Sequence, residues 1–140
     1  AIVKEALAEV SFDDVIATGT VLQNLRTSKL QNSMDMTRDG YHMDYGIARY
    51  AASCAVFEKL ISPAFGSVTL DGNTFRYTTS NSTAGSYSTP VTDANAPIAL
   101  QAARYALATP YAVTDMSDID QEKPDNGIED TEFDDDKNKE

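Results

Sequence analysis

The chain holds one histidine, His42, three residues after Asp39 in the run Thr37-Arg38-Asp39-Gly40-Tyr41-His42. That spacing can do proton chemistry. A histidine acting as general base needs one ring nitrogen free toward the group it deprotonates. The other must donate to a fixed acceptor, which selects the tautomer and stabilises the imidazolium. An aspartate three residues earlier can be that acceptor, with Gly40 relaxing the turn between them. The same residues also have a bland use, Asp39 as a turn former and His42 as a surface or helix-capping group.

Other side chains offer less chemistry. A lone cysteine and a lone histidine cannot assemble a zinc site, and no internal disulfide can form. Cys54 lies among Ala51, Ala52, Ala55 and Val56 in a helical pattern, which reads as a buried inert thiol. An EF-hand reading of the acidic C-terminal region fails because Glu122, Pro124 and Asn126 occupy the ligand positions ahead of Gly127. Arg26, Arg38 and Arg49 could bind a substrate carboxylate, with surface salt bridging as the plainer role. Asn81-Ser82-Thr83 fits a glycosylation acceptor in a Ser/Thr-rich stretch. No metal and no cofactor is expected.

The Asp39–His42 turn stands just before the clearest helical pattern in the chain. Met43, Ile47, Tyr50, Cys54, Phe57 and Ile61 recur at intervals of three and four, which predicts an amphipathic helix over 43–61 ended by Pro63. Its polar face would carry Asp44, Arg49, Ser53 and Glu58. Ile2, Val3, Ala6, Leu7 and Val10 predict an N-terminal helix, and Val15-Ile16-Ala17 a short buried parallel strand. Residues 20–26 read as helical turns and 27–38 as a surface loop. Val68-Thr69-Leu70 and Asn73 to Tyr77 flank Asp71-Gly72 like a β-hairpin with a type I′ turn. After a Ser/Thr-rich loop over 78–92, Asp93 is placed to cap an alanine-rich helix through about Ala108, with Ile98, Ala102 and Tyr105 as its seam.

Charge is divided unevenly. Residues 115–140 hold 12 acidic and 3 basic side chains, a net of −9 that leaves −2 of the total −11 on residues 1–114. The organisation expected is therefore a globular part over 1–114 and a disordered acidic tail over 115–140. No basic stripe suits a phosphate backbone, so nucleic-acid binding is excluded. No apolar run approaches the ~18 residues of a membrane span, and residues 1–7 lack the layout of a signal peptide. The absence of an initiating Met suggests an excised or processed piece, with any export signal upstream.

The succession Val15-Ile16-Ala17-Thr18-Gly19-Thr20, Gln23-Asn24-Leu25-Arg26, Arg38-Asp39-Gly40-Tyr41-His42 and Tyr45-Gly46-Ile47-Ala48-Arg49-Tyr50 resembles the closing section of SGNH-type (GDSL) hydrolases, in an uncharacterised bacterial branch. The likeness covers residues 1–60 closely and 61–114 more loosely. It implies an α/β fold, the C-terminal part of a flavodoxin-like three-layer domain with a small β-hairpin extension. It also implies that Asp39 orients His42 and that His42 deprotonates a serine. Ala17 stands where that branch usually has proline. More seriously, the Gly-Asp-Ser nucleophile block and the oxyanion-hole Gly and Asn have no counterpart. Ser11, Ser28, Ser33, Ser53, Ser62 and Ser67 lack the surroundings of a nucleophile. Half of an active site cannot carry out acyl transfer. The resemblance thus implies the C-terminal part of a serine esterase, exported or periplasmic in its parent, acting on an ester or acylated carbohydrate such as an acetylated sugar. The alternative is a non-catalytic binding or assembly module. Expected partners are the N-terminal half of the domain or a second copy of the chain.

Overall fold

Alanine lines the surfaces along which the helices meet. The computed structural model describes residues 2–31, 35–76 and 88–119. Its helices are α1 (Ile2–Glu9), α2 (Thr18–Thr27), α3 (Ile47–Val56), the single turn α4 (Ser62–Ala64) and α5 (Ala96–Ala108). Helices α2, α3 and α5 pack against one another in all three pairings. On α5 the buried positions Ile98, Ala99, Ala102, Ala103 and Ala106 repeat at helical spacing, and Ala48, Ala51 and Ala55 do the same on α3. Methyl-sized side chains let the backbones approach closely, so a large residue in this seam would cost about 1–3 kcal/mol through overpacking. Val21 and Leu25 of α2, Ile47 of α3, and Met36 and Met116 from the connecting segments fill the remaining space.

Among the described residues there is no strand, only an isolated antiparallel bridge between Thr37 and Met43. The expected α/β three-layer architecture is therefore overturned. Val15-Ile16-Ala17 has the β-branched composition of a strand, but a strand exists only through a neighbour that completes its hydrogen-bond ladder. Here Thr18 N donates to the Ile16 carbonyl and Val21 N to Ala17, so the segment turns directly into α2. The hairpin fails for a similar reason. Gly72 takes a positive φ and Asn73 N bonds to the Leu70 carbonyl, giving the turn, yet Val68 to Leu70 and Asn73 to Arg76 form no ladder. Tyr77 and most of the Ser/Thr-rich loop lie outside the described residues.

Boundaries also differ. The helix predicted over 43–61 is regular only over Ile47–Val56 and continues as a π-helical turn over Phe57–Ile61. Pro63 has no amide to donate to the carbonyl four residues before it, which accounts for a change of hydrogen-bond register there. Ile47, Tyr50 and Cys54 point inward as the spacing predicts, whereas Ile61 is exposed. For α5 the residue preceding the helix is Asn95, not Asp93, which instead pairs with Arg76 at 3.1 Å. Asn95 Oδ1 accepts the Thr92 amide and its Nδ2 donates to the Pro90 carbonyl, closing the turn that launches the helix.

Helix α1 forms but buries none of its residues. Its apolar side chains Ile2 and Val3 remain exposed, and Lys4 lies over the Tyr111 ring. The segment after α5 is held more firmly. Asn24, fully buried on α2, donates to the Ala102 carbonyl and accepts the Thr114 amide, and Thr27 Oγ1 accepts the Met116 amide. These bonds carry Met116 into the core. The acidic run from residue 120 onward lies outside the described residues. Among the described residues no helix is long and apolar enough to cross a membrane.

Candidate acid/base site in the loop before α3

The loop from residue 35 to Gly46 is closed on itself by two backbone bonds, Arg38 N to the His42 carbonyl and Asp44 N to the Met36 carbonyl, both 2.9 Å. Met36 anchors it, fully buried although its φ is +63°, a conformation in which a non-glycine residue needs surrounding contacts to hold it. Gly40 at the tip has φ +84°, and its amide donates to Thr37 Oγ1. The glycine and the threonine together reverse the chain, which brings residues 39 and 42 to the same side.

Asp39 makes three short contacts in this turn. Its Oδ1 accepts the amides of Tyr41 at 3.0 Å and His42 at 2.7 Å, and its Oδ2 meets His42 Nδ1 at 2.7 Å. Both readings of the motif hold at once, since Asp39 builds an Asx turn and also grips the imidazole. The amide of His42, then its ring, then the amide of Tyr41 hold the Asp39 carboxyl well below the usual carboxylate range. An ionised carboxylate can only accept, so the proton in the contact belongs to Nδ1. In the neutral ring the lone pair then sits on Nε2. About half of the His42 side chain is exposed, at 54%, and the Tyr41 ring meets it edge-on at 4.9 Å.

Two of the three arginines singled out by the sequence come together beside this pair. Arg38 places its guanidinium carbon 4.4 Å from the centroid of Tyr45, and Arg49, from the first turn of α3, lies 4.5 Å from the same ring. Arg38 Nε also reaches Asp39 Oδ2 at 3.7 Å, so one carboxylate oxygen touches both Arg38 and His42. Arg26 is engaged separately, its Nε donating to the Asp35 carbonyl.

Asp44 supports the site from beneath, and helical periodicity misplaces it. An unbroken helix over 43–61 would put Asp44 on the polar face, but α3 begins at Ile47 and Asp44 is fully buried before it. Its Oδ1 accepts the amides of Gly46 at 2.8 Å and Ala48 at 3.1 Å, satisfying donors at the helix start. Burial raises the pKa of Asp44, opposed by the Ala48 and Gly46 amides and by Thr89. Asp44 Oδ2 has no hydrogen bond of good geometry, so Thr89 contributes a weaker polar contact than the two amides do. Gly46 packs on Thr89 so closely that a Cβ would collide with the Thr89 carbonyl, which also accepts the Ile47 amide. An Asp two residues before a Gly and four before Ala48 is a helix-start signal, and it marks the true boundary better than the apolar spacing does.

No described serine joins the pair. Among the described residues no hydroxyl lies within hydrogen-bond reach of the His42 ring. Ser28 Oγ bonds the Leu25 carbonyl and Ser53 Oγ the Arg49 carbonyl, both backbone contacts within their own helices or caps, while Ser33 is outside the described residues. Cys54 is buried, and burial pushes its thiol up to about 11, which removes it as a nucleophile. Among the described residues no group of three or more His, Cys, Asp or Glu side chains could hold a metal ion.

The model of a family described as a domain of unknown function, DUF4886, matches residues 1–92. No curated protein and no solved structure matches the chain.

Proposed function

The chain belongs to the DUF4886 family, and from that premise we propose that Asp39 and His42 are the orienting and proton-transferring pair of a serine ester hydrolase. One observation carries the reading, the 2.7 Å contact between Asp39 Oδ2 and Nδ1 of a His42 side chain that is about half exposed. The resemblance to SGNH-type hydrolases supports it from the sequence side. In the proposed reaction His42 Nε2 takes the proton of a serine hydroxyl as its oxygen attacks the acyl carbon. The imidazolium then gives that proton to the departing alkoxide. In the second half a water replaces the serine, His42 deprotonates it, and the acid is released as the serine regains its proton. Asp39 stays ionised throughout and keeps Nδ1 as the donor.

The serine would come from a Gly-Asp-Ser segment, a run that these 140 residues do not contain. The substrate class follows the resemblance, an ester or an acylated carbohydrate. In a protein where such a segment accompanies this chain, His42→Ala abolishes ester hydrolysis while leaving the fold intact, and Asp39→Asn lowers turnover about 10²–10⁴-fold, the range general acid–base catalysis supplies. Normal turnover by the His42→Ala protein would end the proposal. By itself the chain takes no label from a serine-directed fluorophosphonate. The absence of a described hydroxyl beside His42 favours a second reading, a binding or assembly module, and that reading predicts full function after His42→Ala.

A further inference from the structure

We propose that Arg38 and Arg49, gathered on the ring of Tyr45, form an oxyanion-binding site that recognises a carboxylate or phosphate group on the substrate handled by His42. The proposal rests on the acid/base reading for its substrate but not for its binding chemistry. Both guanidinium carbons lie within 4.5 Å of one ring centroid. They are therefore no more than about 9 Å apart, close to the screening length of about 8 Å at physiological ionic strength, so their fields add at a ligand that reaches both. Such a pairing of like charges is unfavourable unless something compensates. The π face of Tyr45 offsets part of it. An anion would offset the rest.

Among the described residues carboxylate compensation is incomplete. Asp39 approaches Arg38 only through Nε at 3.7 Å, and its oxygens are already committed to His42 and to two amides. Among the described residues Arg49 has no carboxylate partner, and its side chain is exposed. The remaining clusters contrast with this. Arg104 is saturated by Glu58, Asp71 and Thr69, and Lys59 is paired with Asp14 at 2.9 Å. A pair of guanidiniums on one ring, Arg49 exposed and Arg38 largely covered, is thus a local exception in a chain of net charge −11. Its planar forks match an oxyanion, and stacking on Tyr45 limits the freedom lost on binding. The shared oxygen of Asp39 links Arg38 to His42, which puts anion recognition next to the proposed proton transfer.

The test is a titration of the ¹⁵N-labelled chain with glucuronate, glucose 6-phosphate and glucose, following the Arg38 and Arg49 Nε–H signals and the Tyr45 ring. Saturable shifts with one or both anions and none with glucose are expected. Glucuronate alone identifies a carboxylated sugar, and glucose 6-phosphate alone a phosphorylated one. Arg49→Gln, an exposed substitution, should weaken binding at least fivefold, Arg38→Gln similarly, and the double variant should abolish it. The titration reads binding without turnover, so its failure is distinct from failure of the hydrolase reading, which is judged by ester hydrolysis in the His42→Ala protein. Equal shifts with glucose, no saturation with either anion, or unchanged affinity in a folded Arg49→Gln chain would overturn the proposal.

Discussion

Replacing Asp44 examines the support beneath the site. Asp44→Ala removes two amide contacts, at 2.8 and 3.1 Å, from the start of α3. Hydrogen bonds to a charged group are worth about 1.5–3 kcal/mol each. The carboxylate also carries a desolvation cost in its fully buried position, visible as its raised pKa, which cancels part of that gain. A net loss of about 2 kcal/mol follows, in line with the roughly 0.5–2 kcal/mol measured for removing helix caps. For a domain of this size that lowers Tm by roughly 6–10 °C. Asp44→Asn keeps an oxygen for the amides and buries no charge, so at pH 7 it should lie within about 1 kcal/mol of the parent.

The pH dependence has a definite sign. The folded pKa of Asp44 is raised above its ordinary value of 3.8. The titration-linked part of its contribution is therefore fully present below that value and is lost as pH rises through the folded pKa, leaving the amide contacts that Asp44→Ala removes. Asp44→Asn has no such titration and should gain on the parent as pH rises from about 4 toward neutrality. Urea melts followed by circular dichroism at pH 4.5 and 7 measure both effects. An Asp44→Ala chain within about 0.5 kcal/mol of the parent would refute the capping argument, as would Asp44→Asn proving as harmful as alanine.

Two further outcomes follow from buried groups. Asn24→Ala strips the Thr114 amide and the Ala102 carbonyl of their side-chain partner, and should cost about 2–3 kcal/mol in a urea melt; a loss under about 0.5 kcal/mol would show that water takes over the bonds. Cys54, 3% exposed with its thiol pushed up to about 11, should resist iodoacetamide at pH 8 and react once urea unfolds the chain. Rapid labelling of the native protein would place the thiol at the surface.

The Asp39–His42 contact was legible in the sequence because it closes within four residues, where Gly40 and the Asx turn bring the two side chains together. The inward stripe of Ile47, Tyr50 and Cys54 was legible for the same reason, since helical spacing is local. The chain's charge division was likewise plain from residue types alone. Tertiary structure decided the rest. Val15-Ile16-Ala17 has a strand's composition, yet ladder bonds must come from another segment, and among the described residues none pairs with it. Asp44 looked solvated until Thr89 and the first turn of α3 closed over it. Arg38 and Arg49 stand eleven positions apart in sequence, and only the closed loop and the orientation of α3 put both on Tyr45. Contacts inside one turn are set by backbone geometry that residue type controls, whereas contacts between segments depend on which surfaces the packed helices leave facing each other.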